Sequence, residues 1–235
     1  MISYLHYIPI ITTIFSVYFI NQIFRHYLQK TSALYLLWWS IGVLTFGLGT
    51  MSESINTLFG WTEINFRFWY IVGALLGGFP LAQGTVYLLI KRKTADILSY
   101  CFVSLVVIAA VAVILSPVDS SLVTDGRLSG KVLQWQWVRY FSPIINLYSL
   151  IFLFGGAMYS AVQYRKTKAD KRFLGNIFIA IGSLLPGIGG SFTRFGFVEV
   201  LYVTELLGLV AIYYGYKVIR QDPTVSVHNI QAVKG

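Results

Sequence analysis

The chain has 235 residues, of which 56% are hydrophobic and only 11% are charged, against about 25% charged in soluble domains. Nine acidic and eighteen basic residues are too few to cover a soluble domain of this size. Together with a mean hydropathy of +0.68, this excludes an ordinary cytosolic enzyme and predicts an integral membrane protein. The single cysteine, Cys101, excludes an intramolecular disulfide and any four-cysteine metal site.

Seven apolar runs are long enough to cross a bilayer, which takes roughly 20 helical residues. They lie at residues 5–24, 34–52, 68–90, 97–115, 140–164, 173–192 and 197–217. We therefore predict an all-α integral membrane fold, with a seven-transmembrane-helix bundle over residues 1–220 and a short tail at 221–235. No basic residue precedes the first run and no small-residue cleavage site follows it, so we expect a retained helix rather than a signal peptide.

Lysines and arginines are distributed unevenly between the two sides of the predicted bundle. Most lie after the first, third, fifth and seventh helices, with the densest group at residues 165–172. The positive-inside rule therefore predicts a multi-pass cell-membrane protein whose N-terminus is extracytoplasmic and whose C-terminus is cytoplasmic. The net charge of +9 is explained by this topology, and we expect the lipid bilayer, not nucleic acid, as its partner.

The longest predicted connection, residues 116–138, lies on the extracytoplasmic side between the fourth and fifth helices. Asp125-Gly126 suits the positive-φ positions of a tight hairpin turn, and Trp135 and Trp137 close the loop near the expected membrane surface. Two interpretations stay open: a small lid over an external pocket, or a loop anchored at the bilayer interface.

The second and sixth helices share the pattern I-G-x-L-x-x-G-x-G, at residues 41–49 and 181–189. The first and fifth helices share an early proline, and the third and seventh share several glycine and leucine positions. This pattern predicts two parallel three-helix repeats joined by a linker helix, a 3+1+3 arrangement that occurs in the sugar-transporting SWEET proteins. The contrary interpretation is chance similarity, because membrane helices use few residue types.

Small residues and prolines in these helices have packing roles in either case. We expect the glycine pairs 47/49 and 187/189 to let neighbouring backbones approach closely. Pro80 and Pro186 interrupt helical hydrogen bonds, which predicts kinks in the third and sixth helices.

One carboxylate lies well inside a predicted span. Glu205 is eight residues past Phe197, roughly 12 Å below the outer surface at about 1.5 Å per residue. A charge at that depth is costly, so we expect Glu205 to face the bundle interior and to be either protonated or paired. It is a candidate proton acceptor or ligand contact, and the alternative is a structural hydrogen bond to a neighbouring helix.

Further polar residues lie near the same predicted level. We expect an outward-facing pocket ringed by aromatic side chains at 69, 70, 148 and 202, because small-ligand sites combine aromatic walls with a few polar groups. With Glu205, its candidate ligand-binding residues are Glu53, Arg67, Arg139, Asn146 and Arg194. The alternative is that the arginines lie at headgroup level and bind phosphates or water. Gln83 and Tyr87 lie deeper and favour hydrogen bonds between helices.

Several chemistries lack the residues they need. The only lysine of the seventh helix, Lys217, is at its cytoplasmic end, so no retinal Schiff base is expected. The three histidines are too scattered for haem or zinc ligation, and no Ser/His pair lies within the spans. We therefore expect no cofactor, no metal and no enzymatic activity.

The segment from Gly47 to Lys93 carries a resemblance to a known class. A glycine-rich helix that ends in an acid, Glu53, is followed by a short external loop and then by Phe66-Arg67-Phe68-Trp69-Tyr70 at the start of the next helix. Pro80 in mid-helix, Tyr87 and a basic stop at 91–93 complete the pattern. This is similar to the prokaryotic seven-transmembrane sensor regions that precede histidine kinase domains. The resemblance implies ligand sensing through an extracytoplasmic-facing bundle, and it carries over no ligand residue.

Two function classes follow. The first is a sensor-type or accessory module that binds a small molecule in the outward-facing pocket and signals to a cytoplasmic partner at loop 165–172. The second is a small-solute carrier built from two parallel three-helix repeats, with Glu205 as its proton-coupling group.

Overall fold

The structure is a computed structural model that describes residues 4–193 and 195–222. Seven helices in it are long and apolar enough to cross a membrane. They are α1 (Tyr4–Gln29), α2 (Leu34–Phe59), α3 (Glu63–Leu89), α4 (Arg92–Leu115), α5 (Gln136–Lys166), α6 (Asp170–Thr193) and α7 (Val198–Arg220). In the described ranges the only β pairing is one isolated antiparallel bridge between Val118 and Leu133. The all-α prediction and the number of candidate spans are confirmed, and they suggest a multi-pass membrane protein.

The helices extend by several residues beyond most of the apolar stretches from which they were predicted. Between α2 and α3, the chain turns at Gly60, where φ is 81°, and Thr62 caps α3 by accepting a hydrogen bond from the Asn65 amide at 3.3 Å. Hydropathy detects only the part of a helix that suits hydrocarbon, whereas polar turns beyond it keep the helical hydrogen bonds. As a result Glu53 lies inside α2 rather than at its end, and Arg67 lies one turn inside α3 rather than at its beginning.

Helix α3 is interrupted in its middle. It is α-helical to Trp69, π-helical over Tyr70–Leu75 and α-helical again over Phe79–Leu89. Pro80 has no amide proton for the carbonyl of Leu76, and the Thr45 hydroxyl of α2 donates to that carbonyl instead, at 3.3 Å. The predicted kink of the third helix is therefore a break, whereas Pro186 lies within a continuous α-helix over Asp170–Thr193.

The chain divides into two compact units, Met1–Leu153 and Phe154–Gly235. The division falls inside a second π-helical segment, Leu150–Gly155, which interrupts α5. The first unit contains α1 to α4 and the first part of α5, and the second unit contains the rest of α5 with α6 and α7.

In the first unit, small residues let α2 pack closely on its two neighbours. A Cβ on Gly47 would collide with the Ser16 side chain of α1, and a Cβ on Gly49 would lie 3.2 Å from the Cα of Gly73 in α3. The hydroxyls of Thr13 and Thr50 are 3.0 Å apart across the α1–α2 contact. The predicted close approach at positions 47 and 49 is confirmed.

In the second unit, α6 and α7 meet along glycines spaced seven residues apart. A Cβ on Gly182 would lie 2.6 Å from the carbonyl oxygen of Gly208, and one on Gly175 would lie 2.8 Å from that of Gly215. A Cβ on Gly189 would lie 2.7 Å from the Cα of Leu201. A heptad spacing keeps small residues on one face of a helix, which allows close packing along its length.

The prediction for Gly187 is wrong. Apart from its chain neighbours and the backbone of its own helix, no atom in the described ranges lies within 4 Å of the Cβ that a side chain at 187 would have. Position 187 is five residues from Gly182, which rotates it by about 140° around the helix and away from the contact face. Spacing along the sequence did not show which of the two glycines in the pattern faces α7.

Helix α4 presents much of its surface outward. From residue 97 to residue 115, the exposed large side chains are apolar or aromatic: Ile97, Tyr100, Val103, Val107, Ile108, Val111, Ile114 and Leu115. Such a surface is compatible with lipid and unfavourable in water.

Candidate functional site

The carboxylate of Glu53 is buried between α2 and α3 in the first unit. The residue is 4% exposed, and its Oε1 accepts a hydrogen bond from the Trp69 indole nitrogen at 3.1 Å. One residue earlier on α2, the Ser52 carbonyl accepts a hydrogen bond from the Asn65 side chain at 2.8 Å. Two polar contacts thus fix α3 to α2 at the level of the acid.

An aromatic cluster surrounds the start of α3. The ring of Phe66 is fully buried, and its centroid lies 6.1 Å from that of Trp61, 6.4 Å from that of Trp69 and 6.0 Å from that of Tyr70. Two of the four aromatic residues predicted to ring a pocket, Trp69 and Tyr70, belong to this cluster. They are neighbours at the end of the first α-helical part of α3.

The loop at 116–138 folds onto this same end of α2 and α3. Asp125 and Gly126 both have positive φ, and the Arg127 amide donates to the Thr124 carbonyl at 3.0 Å, so the predicted tight turn is confirmed. The Asn56 side chain of α2 donates to the Gly126 carbonyl at 2.9 Å.

A second contact holds the middle of the loop. A Cβ on Gly130 would lie 2.6 Å from the Tyr70 ring, so the loop backbone packs directly against the aromatic cluster. Trp135 and Trp137 stack at a centroid distance of 5.9 Å and remain exposed, as an anchor in the bilayer interface would be. The loop therefore combines features of both predicted interpretations.

Arg67 is bound by the end of α4. Its guanidinium donates to the carbonyls of Val113, Ile114 and Ser116 and pairs with Glu63 at 2.6 Å. The last carbonyls of a helix have no intrahelical donors and form the negative end of its dipole, so a cation is stabilised there. The position of Arg67 as a cap of α4 was not evident from the sequence, because nothing local links residue 67 to residues 113–116.

Two other candidates of the first unit, Arg139 and Asn146, belong to α5. The Arg139 guanidinium donates to the Gln136 side chain at 2.7 Å, within the first turns of α5. The side chain of Asn146 is exposed. Their membership of a ligand pocket stays a prediction, and Arg194 lies outside the described residues.

Glu205 is half-buried on α7, in the second unit. The preceding residue, Thr204, packs against Gly189 of α6, which places residue 205 beside the α6–α7 contact. Its predicted convergence with the candidates of the first unit stays a prediction.

A buried polar chain connects three helices of the first unit. Gln83 of α3 is fully buried, donates to the Ala95 carbonyl of α4 at 3.0 Å and accepts from the Tyr148 hydroxyl of α5 at 2.6 Å. This is the interhelical hydrogen bonding expected of Gln83. Asn56 and Asn65, whose side-chain amides also bridge elements, could not be recognised from the sequence, because polar residues at helix ends resemble ordinary headgroup-level residues.

Within the described residues, no group of three or more His, Cys, Asp or Glu side chains could hold a metal ion. Comparison with protein-family models, characterised proteins and solved structures finds no match to this chain. The geometry of the chain is therefore the basis on which its function is inferred.

Proposed function

We propose that this protein is a small-solute carrier built from two parallel three-helix repeats, with α4 as the linker between them. The observation that carries the proposal is the register of the α2–α3 and α6–α7 hairpins. The same close contacts occur at equivalent positions of the two hairpins. A residue of α2 corresponds to the residue of α6 that lies 140 positions later, and a residue of α3 corresponds to the residue of α7 that lies 131 positions later. Parallel repeats of this kind occur in known carriers.

The first matched contact is in the middle of each hairpin. A Cβ on Gly42 of α2 would lie 2.7 Å from the backbone nitrogen of Leu81 in α3. A Cβ on Gly182 of α6 would lie 3.0 Å from the backbone nitrogen of Ile212 in α7. Positions 42 and 182 differ by 140, and positions 81 and 212 differ by 131.

Two further contacts obey the same offsets. A Cβ on Gly84 of α3 would lie 2.9 Å from the carbonyl oxygen of Tyr35 in α2. A Cβ on Gly215 of α7 would collide with the carbonyl oxygen of Gly175 in α6. Near the other end of the hairpins, Gly49 faces Gly73, and Gly189 faces Thr204. Unrelated hairpins are free to adopt any register, so agreement at three separated points supports duplication of one ancestral unit.

The two hairpins differ in one respect that matters for transport. Helix α7 is continuous over Val198–Arg220, whereas α3 breaks at residues 76–78. A Cβ on Gly78 would lie 3.0 Å from the Ser149 side chain of α5, so the break adjoins a polar group of another helix. Discontinuous helices accompany solute sites in carriers, and we place the solute path beside this break. Glu205 is the proposed proton-coupling group.

Thiol labelling from each side of the membrane tests the proposal. Cys101, which is exposed, is replaced by serine, and Ser149→Cys is introduced beside the helix break. A carrier exposes its central site alternately to each side, so a membrane-impermeant thiosulfonate should label this cysteine in both right-side-out and inside-out vesicles. The control is Ser104→Cys on the exposed face of α4, which should react from neither side. Labelling of Ser149→Cys from one side only, or from neither, would overturn the carrier.

A sensor-type binding module is the second candidate, and the loop at 116–138 favours it. The loop is held to Asn56 and to Tyr70 above the buried Glu53, and a fixed cover at one end suits a pocket that opens to one side. For this candidate, the Ser149→Cys thiol reacts from at most one side. Small molecules that stabilise the protein against heat should then lose their effect in Asn56→Ala, and binding unaffected by that change argues against a site under the loop.

A further inference from the structure

The turn between α5 and α6 places a lysine where helices normally have glycine. The Ala169 amide donates to the Tyr164 carbonyl at 3.0 Å and the Lys168 amide donates to the Arg165 carbonyl at 3.3 Å, which is the Schellman pattern of a helix end. In this pattern Lys168 takes the left-handed position, with φ at 55°. Glycine adopts that conformation without strain, whereas a lysine does not.

Only one other non-glycine residue of the described chain has positive φ, and its sequence explains it. Asp125 precedes Gly126 in a tight turn, where aspartate is a favoured residue. No such local preference accounts for Lys168. A strained residue held in place by its surroundings is a pointer to function.

The two arginines of this turn each pair with an acid of the same unit, Arg165 in an exposed pair and Arg172 in a largely buried one. Arg165 pairs with Asp170 at 3.8 Å and lies 5.2 Å from the Phe173 ring centroid. Arg172 pairs with Asp222 at 3.2 Å and lies 5.3 Å from the Tyr164 ring centroid.

The Arg172–Asp222 pair fixes the turn to the end of α7, because Asp222 follows that helix and is only 7% exposed. Both nearby acids are therefore engaged by arginines. The lysines of the turn are therefore available to bind an anionic group that lies outside this unit.

The remaining cations at this end are exposed. They are Lys166, Lys168, Lys171, Lys217 and Arg220. In the ranges that the structure describes, none of the five forms an ion pair with an acid. All five flank ends of apolar helices of the second unit, at the level where lipid headgroups lie if the helices cross a bilayer. The end they share is the one predicted to be cytoplasmic.

We propose that this basic turn binds the headgroup of an anionic phospholipid through Lys166, Lys168 and Lys171. Lysine supplies a compact charge on a flexible stem, which suits a phosphate diester that moves at the membrane surface. The site depends on charge complementarity and on its place at the helix ends, and it does not depend on the carrier proposal. An acidic protein segment is the competing occupant that the test separates.

The test counts anionic lipids bound to the full chain. Protein is reconstituted in phosphatidylcholine with and without phosphatidylglycerol, and bound lipid is measured by native mass spectrometry. The variant Lys166→Gln/Lys168→Gln/Lys171→Gln should lose about tenfold in apparent affinity for phosphatidylglycerol. The matched control Lys30→Gln/Lys91→Gln/Lys93→Gln removes three exposed lysines of the first unit and should change it by less than about twofold.

Equal losses in the two triple variants would overturn the proposal, as would wild-type protein that binds phosphatidylglycerol no better than phosphatidylcholine. An acidic peptide would also overturn it if it displaces the lipid from the wild type and the control, and if its own binding is lost in Lys166→Gln/Lys168→Gln/Lys171→Gln. The peptide would then be the preferred occupant of the turn.

Two substitutions of Lys168 separate its charge from its backbone conformation. Lys168→Gly removes the charge and relieves the strain, so it should raise the melting temperature while weakening phosphatidylglycerol binding. Lys168→Ala removes the charge but keeps the strain, so it should weaken binding equally without that rise. Undiminished lipid binding in Lys168→Gly would show that Lys168 does not contribute to the lipid site.

Discussion

Gly182 and Gly208 face each other so closely across α6 and α7 that neither has room for a side chain. A Cβ on Gly182 would lie 2.6 Å from the Gly208 carbonyl oxygen, and a Cβ on Gly208 would lie 2.7 Å from the Gly182 carbonyl oxygen. Lipid tails are as apolar as helix surfaces, so association of membrane helices depends on such close packing rather than on hydrophobic burial.

Gly182→Ala should therefore destabilise the protein by about 1–3 kcal/mol, because the added methyl group forces the helices apart. Gly187→Ala is the control: its Cβ enters open space and alanine is the better helix former, so it should be neutral or stabilising by up to about 1 kcal/mol. Melting temperatures in detergent measure both. Equal melting temperatures would contradict the assignment of the contact face.

Arg67→Met should destabilise the protein by about 2–3 kcal/mol, since it leaves the last carbonyls of α4 without their charged donor. The control is Arg139→Met, whose guanidinium is bound to the exposed Gln136 side chain, and it should change stability by less than about 0.5 kcal/mol. Thermal unfolding in detergent gives the comparison. Similar effects of the two changes would mean that Arg67 does not cap α4.

The hydrogen bond between Gln83 and Tyr148 should appear as a coupling energy. Gln83→Met and Tyr148→Phe, alone and combined, should give a coupling of about 0.5–2 kcal/mol, the range found for hydrogen bonds between membrane helices. The control is Tyr70→Phe, which removes a hydroxyl that accepts a hydrogen bond from Ser142 rather than contacting Gln83. It should show no coupling with Gln83→Met. Additive effects at positions 83 and 148 would show that the two groups do not interact.

The loop at 116–138 should loosen at acid pH. Hydrogen bonds from the Ser121 hydroxyl and then from the Ser121 amide lower the pKa of Asp119 from its ordinary value of 3.8. Because the folded pKa is the lower one, the charged carboxylate contributes its full stabilisation well above pH 3.8. That contribution declines as the pH falls through 3.8 and is lost below the folded pKa.

The fluorescence of Trp135 and Trp137, which belong to this loop, should report the change between neutral pH and pH values below 3.8. Asp119→Asn should remove this acid transition, whereas Asp125→Asn, another carboxylate of the loop, should keep it. A transition that persists in Asp119→Asn assigns the acid sensitivity to a different group.

Features that depend on composition or on adjacent residues could be predicted from the sequence. The all-helical fold and seven candidate spans follow from apolar runs that each have the length of a bilayer crossing, and the turn at Asp125-Gly126 follows from the backbone preferences of two neighbours. These properties are local, so no knowledge of the partner helices was needed. The internal hydrogen bonding of Gln83 was also foreseeable, because a buried amide must find partners.

Tertiary structure alone decided which residues meet. The glycine pattern could not distinguish Gly187 from Gly182, because the rotation of α6 is set by how its whole length packs on α7. Arg67 binds carbonyls more than forty positions away in the chain, and Asn56 holds a loop that folds back from beyond α4. The break in α3 is stabilised by a hydroxyl of α2 that no local signal near Pro80 identifies. Sequence fixes what each segment can form on its own, whereas contacts between distant segments depend on the helix rotations and registers that packing selects.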